Sequence, residues 1–124
     1  MSAKPTIYLA GAIDKVPPEF ATTWRLHATK ALEHKYNILD PTAGKDPAQI
    51  VESDLSAIMR SNIILAEVSR TDIPYHGTSM EIMFSYINGK KVYVWGGCKS
   101  YWIRYHTTKI FKFVGDAIRY LLES

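Results

Sequence analysis

The chain has 124 residues, 47% of them hydrophobic and 22% charged, with a net charge of +3. That length supports one core but not two, so a single domain over residues 1–124 is expected, of ordinary globular composition. There is no apolar run near the roughly 20 residues of a membrane span and no signal-peptide layout, and the lone Cys98 cannot form an internal disulfide, so the expectation is a cytoplasmic protein without a membrane partner.

Charge is unevenly placed. Residues 1–62 carry seven basic and seven acidic side chains, and residues 63–124 carry eight and five. Lys99, Arg104, Lys109 and Lys112 form a stretch with no acidic residue between them. A solvated basic face explains that stretch, and so does attraction for an anionic small molecule such as a nucleotide. A nucleic-acid groove is not expected, because +3 over a whole domain is weak for a phosphate-tracking surface.

Thr6-Ile7-Tyr8-Leu9-Ala10 reads as a buried strand ended by Gly11. A loop to Pro18 follows, and a helix starts near Glu19 with Pro18 in its first turn. Phe20, Trp24, His27 and Ala31 recur at helical spacing and predict its core stripe, His27 as a core histidine. Tyr36–Leu39 is a second strand, stopped by Asp40-Pro41, and Thr42–Pro47 is a polar loop. Residues 48–61 predict a second helix and Ile63–Val68 a third strand, followed by the loop Ser69–His76. A third helix spans about Thr78–Ile87, ended by Asn88-Gly89. Val92–Trp95 is a fourth strand, Lys109–Phe113 a short edge strand and Gly115–Leu122 a closing helix. Strands alternating with helices at this spacing predict an α/β fold, with about five strands in a mainly parallel sheet and helices on both faces.

Three side chains stand out chemically. Glu81 follows a strand–loop junction at the start of the third helix, where such folds place ligands. Thr78-x-x-Glu81 fits a capping box, in which the glutamate only satisfies a backbone N–H. The alternative is a nucleophilic or basic carboxylate kept ionised by the helix dipole, with the Thr78 and Ser79 hydroxyls holding an anion. Asp54 falls inside the apolar stripe Val51, Leu55, Ile58, so it is either a paired structural carboxylate or a group lining a pocket. Tyr8, on the opposite face of its strand from Ile7 and Leu9, is a core phenol or a donor to a catalytic carboxylate. Trp24, Tyr75, Trp95 and Trp102 could pack or stack on a base. The four histidines show no metal-ligand spacing, and neither a dinucleotide glycine fingerprint nor a phosphate-cradling Gly-Lys-Ser/Thr loop is present.

Ile7-Tyr8-Leu9-Ala10-Gly11, Glu52–Ile58, Ile63–Val68, Gly77-Thr78-Ser79-Met80-Glu81-Ile82 and Asn88–Val92, in this order and spacing, resemble the nucleoside 2-deoxyribosyltransferases. They equally resemble the related deoxynucleoside 5′-monophosphate N-glycosidases. The resemblance spans most of the chain. It implies a Rossmann- or flavodoxin-like three-layer sandwich and cleavage of the N-glycosidic bond of a 2′-deoxynucleoside. It makes Glu81 the nucleophile on C1′, Asp54 the group that manages protons beside base or sugar, and Tyr8 the donor that orients Glu81. Gly11, Trp24, Asp72, Gly77, Thr78 and Ser79 are then the substrate-binding positions. Asp72 stands in for a further acid that the transferases often carry closer to the nucleophile; here the closer positions are Tyr75 and His76. The monophosphate hydrolases' serine cluster is not evident in Asp14–Pro18. The implied partners are a deoxynucleoside or deoxynucleotide, an acceptor base, and further copies of the chain completing a shared site as a dimer or multiple of dimers. No cofactor and no metal are implied. Transfer to a second base is the primary expectation, hydrolysis of a monophosphate the alternative, and a non-catalytic nucleotide-binding module the third.

Overall fold

The computed structural model describes residues 3–41 and 46–124. The expected polar loop Thr42–Pro47 lies mostly outside the described residues, and Pro47 already opens the helix that follows. Among the described residues ten elements alternate: β1 (Thr6–Ala10), α1 (Pro18–Leu32), β2 (Asn37–Leu39), α2 (Pro47–Met59), β3 (Ile63–Glu67), α3 (His76–Ile87), β4 (Lys91–Trp95), α4 (Tyr101–Tyr105), β5 (Lys109–Phe111) and α5 (Val114–Glu123). The strands form one sheet in the order β2-β1-β3-β4-β5, and every pair is parallel.

Strand alternation splits the core in two. Ile7, Leu9, Leu65 and Tyr93 pack with Trp24, Ala28 and Leu32 of α1 and with Ala117, Ile118 and Leu121 of α5. Tyr8, Ala10, Ile64, Ala66, Val92 and Val94 pack on the other face with Ile58 of α2, Ile82 of α3 and Ile103 of α4. Both faces are covered, so the central strands are apolar on both sides, as parallel sheets require.

Local signals explain the element ends. Pro18 occupies the first turn of α1, and the Asp46 carboxylate caps α2 by accepting from the Gln49 N–H at 3.1 Å. At the end of α3, Gly89 adopts φ +76°, and the Lys90 and Gly89 N–H groups return to the Ser85 and Tyr86 carbonyls at 3.0 and 3.1 Å. This pair of bonds is the Schellman stop.

Three local expectations change. The buried positions of α1 are Ala21, Trp24, Arg25, Ala28 and Leu32, a stripe rotated from the expected Phe20, Trp24, His27, Ala31. His27 is exposed, and the charged residue facing inward is Arg25. On α2, Val51 is exposed while Leu55 and Ile58 reach the core. The short helix α4 was not anticipated; its sequence, Tyr-Trp-Ile-Arg-Tyr, has no helical apolar period, and it is started by the Ser100 side chain accepting from Ile103 N–H.

Strand order fixes where a ligand can go. From β1 the chain moves to β2 on one side, then crosses back to β3 and continues to β4 and β5 on the other. The C-terminal ends of β1 and β3 therefore flank a topological switch point, the usual ligand crevice of open parallel sheets.

Candidate active site

A cavity of about 260 Å³ opens at that switch point. Its lining comes from the end of β1 and the loop after it (Tyr8, Gly11–Lys15), from Pro41, from Asp54 of α2, and from the loop and first turns before Glu81 (Pro74–Thr78).

The floor is a contact between a strand and a helix. Tyr8 is fully buried, and its hydroxyl donates to Glu81 Oε2 at 2.6 Å. Burial pushes the Tyr8 phenol far above its ordinary value, with the Glu81 charge adding to the effect, so it stays a donor. Burial also pushes the Glu81 carboxyl up from 4.5 to about 7. The Tyr8 hydrogen bond opposes that rise, and the nearby Asp54 charge and an Asp54–Glu81 side-chain hydrogen bond reinforce it. Two carboxyl groups this close oppose each other's ionisation.

A second buried carboxylate lies behind the first. Glu67, at the end of β3 and fully buried, accepts Ala12 N–H on Oε1 at 3.1 Å. Its Oε2 accepts the Ser69 N–H at 2.8 Å, the Ser69 hydroxyl at 2.7 Å and the Tyr75 hydroxyl. Arg25, also fully buried, donates from Nη2 to the Gly11 carbonyl at 3.1 Å and lies 3.5 Å from Asp40. Burial lowers its pKa, and the Asp40 charge resists the fall. The Gly11-Ala12 segment is thus held from both sides. Gly11 must be glycine here: it has φ +154°, and a Cβ would lie 3.0 Å from Glu67 Cβ and 3.2 Å from the Trp24 ring.

Comparison with known proteins bears on the fold. No protein-family model and no curated protein sequence matches the chain. Solved structures do. The chain superposes on the 2-deoxyribosyltransferase of Bacillus psychrosaccharolyticus with a TM-score of 0.74 at 19% identity, over 93% of this chain and 91% of that one. It superposes on the CMP N-glycosidase BcmB of Clostridium botulinum with a TM-score of 0.71 at 21% identity, over 96% and 99%. The 2-deoxyribosyltransferase of Leishmania mexicana matches with a TM-score of 0.62 at 21% identity, over 73% of this chain and 63% of that one. The chain has the 2-deoxyribosyltransferase fold.

Within this fold, Tyr8, Gly11, Asp54, Gly77, Thr78 and Glu81 all line the one cavity. Three other expected positions do not. Trp24 packs in the core on the α1/α5 face, edge-on to Trp95 with centroids 5.6 Å apart. Asp72 is exposed and binds Arg70 through two oxygens at 2.9 and 2.7 Å. Ser79 faces a separate groove beside Met83 and Trp102. The capping-box geometry is absent: α3 begins at His76, and no side chain caps it. Burial and the Asp54 charge raise the Glu81 pKa and so work against the ionised form that a helix start favours. Of the aromatic residues considered for stacking, Tyr75 lines the cavity and Trp102 is exposed on α4. The basic stretch Lys99, Arg104, Lys109 and Lys112 is exposed on and around α4 and β5, away from the cavity lining.

Sequence reasoning missed Glu67, Arg25, Lys15 and His76. A glutamate ending the apolar run Ile63–Ala66 was the available signal for Glu67. A stripe anchored on Ala21 and Ala28 instead of Phe20 and His27 would have found Arg25.

Proposed function

We propose that the protein is an enzyme that cleaves the N-glycosidic bond of a 2′-deoxynucleoside through a deoxyribosyl ester on Glu81. The observation that carries this reading is the Tyr8–Glu81 hydrogen bond on the cavity floor, with Asp54 alongside. Tyr8 fixes one carboxylate oxygen and leaves the other to attack C1′. The C1′–N bond breaks as the C1′–O bond to Glu81 forms, and its electron pair leaves with the base. A proton carried by Asp54 moves to the departing base. In the second step a nitrogen of an acceptor base, or water, attacks C1′, the ester bond breaks, and a proton returns to Asp54. This is the double displacement of retaining glycosidases. The neighbours' names, two 2-deoxyribosyltransferases and a CMP N-glycosidase, support bond cleavage of this class.

Transfer to a second base is the primary reading. One observation favours the alternative, hydrolysis of a 5′-monophosphate: Lys15 and His76 line the same cavity, placing basic groups around a floor that is otherwise acidic. Chromatography separates the two. The protein is incubated with deoxyinosine or deoxycytidine, with and without adenine, and with the corresponding 5′-monophosphates. A new deoxynucleoside formed only with adenine establishes transfer, and free base released from a monophosphate alone establishes hydrolysis. No product from any substrate removes the enzymatic reading and leaves the binding module.

A homo-oligomer belongs to the same proposal. On α3, Gly77 and Thr78 line the cavity, while Met80 and Ile87, 71% and 65% exposed, face outward with Trp102 and Tyr105 of α4. A second copy covering this apolar face would border the cavity mouth. Sedimentation of a single monomeric species at assay concentration contradicts it.

A further inference from the structure

We infer that Glu67 is a positioning residue that couples the two walls of the cavity. It is absent from the cavity lining, yet each of its oxygens holds a different wall. Oε1 accepts from Ala12, in the loop after β1, and Oε2 accepts from Ser69 and Tyr75, in the loop after β3. Ala12 and Tyr75 both line the cavity. The Tyr75 hydroxyl extends the connection by accepting Arg70 N–H at 3.0 Å. Parallel strands β1 and β3 are neighbours, and among the described residues their ladder ends at Ala10 and Ala66. Past that point, the hydrogen bonds of Glu67 tie the two loops together.

Economy of the fold does not explain this residue. A fully buried carboxylate is costly unless several donors satisfy it, and an apolar residue would continue the strand. Here four donor groups converge on Glu67, two from backbone N–H groups and two from hydroxyls. With rigid walls, the cavity keeps its width over the Glu81 floor, which is what preorganised binding needs. The consequence is specific: loosening one loop must be felt in the other.

Hydrogen exchange on the intact protein tests this without reference to turnover. Tyr75→Phe and Ser69→Ala each remove one hydroxyl from the loop after β3 and leave the loop after β1 untouched. Each is expected to speed exchange at the amides of residues 11–15 by about tenfold or more, while α5 is unchanged. Glu67→Gln, which keeps the shape but cannot accept on its amide nitrogen, should produce the largest change in both loops. Faster exchange confined to residues 69–75, with 11–15 as in the wild type, overturns the inference, even should Glu67→Gln fail to fold. Kinetics supply a second arm that rests on the function proposed above: Ser69→Ala, outside the cavity lining, should raise KM about fivefold with kcat within about twofold, and should add nothing in a Glu67→Gln background. Additive effects contradict coupling. A wild-type protein that turns over no deoxynucleoside or deoxynucleotide removes the proposed function, and the exchange result still decides the role of Glu67.

Discussion

Two glutamates lie at the same end of the sheet and differ in nearly everything that matters chemically. Glu67 is carried by a strand, and four donor groups converge on it. Glu81 is carried by a helix on the opposite face, with Tyr8 on one oxygen and a second carboxyl, Asp54, beside it. The first is surrounded by what an anion needs. The second is placed where its charge is opposed, and its pKa rises to about 7. Burial alone therefore does not separate the two; what distinguishes Glu81 is burial together with an opposed charge and access to the cavity.

The sharpest break of this contrast is Glu81→Ala. Turnover should fall by about 10³-fold or more, about 4 kcal/mol of barrier, while substrate still binds. Retention of more than about a tenth of the wild-type rate rules out Glu81 as nucleophile.

Stability should respond in opposite senses at the two sites. The fold raises the pKa of Glu81 from 4.5 to about 7, so the native state binds this proton more tightly than the unfolded chain. The stability it contributes is fully present below about pH 4.5 and is lost as pH rises through about 7, a change of about 3 kcal/mol. Glu81→Gln, which cannot ionise, should stabilise the protein by up to about 3 kcal/mol at pH 8 and hardly at pH 4. Glu67→Ala should instead destabilise by about 3 kcal/mol by leaving buried donors unmet. Denaturant midpoints at the two pH values measure both, and a Glu81→Gln variant less stable at pH 8 than the wild type would contradict the electrostatic reading.

Two smaller changes move the ionisation of Glu81 in opposite directions. Tyr8→Phe removes the donor that lowers its pKa, so the acidic limb of kcat/KM should shift to higher pH. Asp54→Asn removes the charge that raises it, so the limb should shift to lower pH even as the rate falls. Shifts of the same sign would separate Asp54 from the floor of the site. Asp72→Ala should do least: it breaks an exposed pair with Arg70, and both stability and kcat/KM should stay within about twofold of the wild type.

The sequence was most legible where one residue's pattern sufficed. The five strands, a mainly parallel sheet and the Asn88-Gly89 stop follow from short apolar runs alternating with helices and from punctuating glycines, whereas the strand order is read from the structure. Tyr8 and Asp54 stand out as polar groups against an apolar pattern and Glu81 by its place after a strand–loop junction, and the fold brings all three to one cavity. The environment of that cavity was not legible. Whether Thr78-x-x-Glu81 caps a helix depends on where the helix begins, and it begins at His76, one step after the Tyr75 whose hydroxyl is tied to Glu67. The pairing of Glu67 with Ala12 spans 55 residues and has no local signature. Trp24 and Asp72 show the converse: plausible residue types whose sides of the sheet or loop could be known only from the packing.

The central claim is the bond between Glu81 and the sugar. The direct measurement is intact-protein mass spectrometry after rapid acid quench of the protein with a deoxynucleoside, or with a 2′-fluoro-arabinonucleoside that slows breakdown of the ester, followed by peptide mapping. The account predicts an added mass of one deoxyribosyl or fluoro-arabinosyl group on the peptide bearing Glu81, absent in Glu81→Gln. Turnover with no adduct at any quench time, or an adduct on another residue, would contradict it.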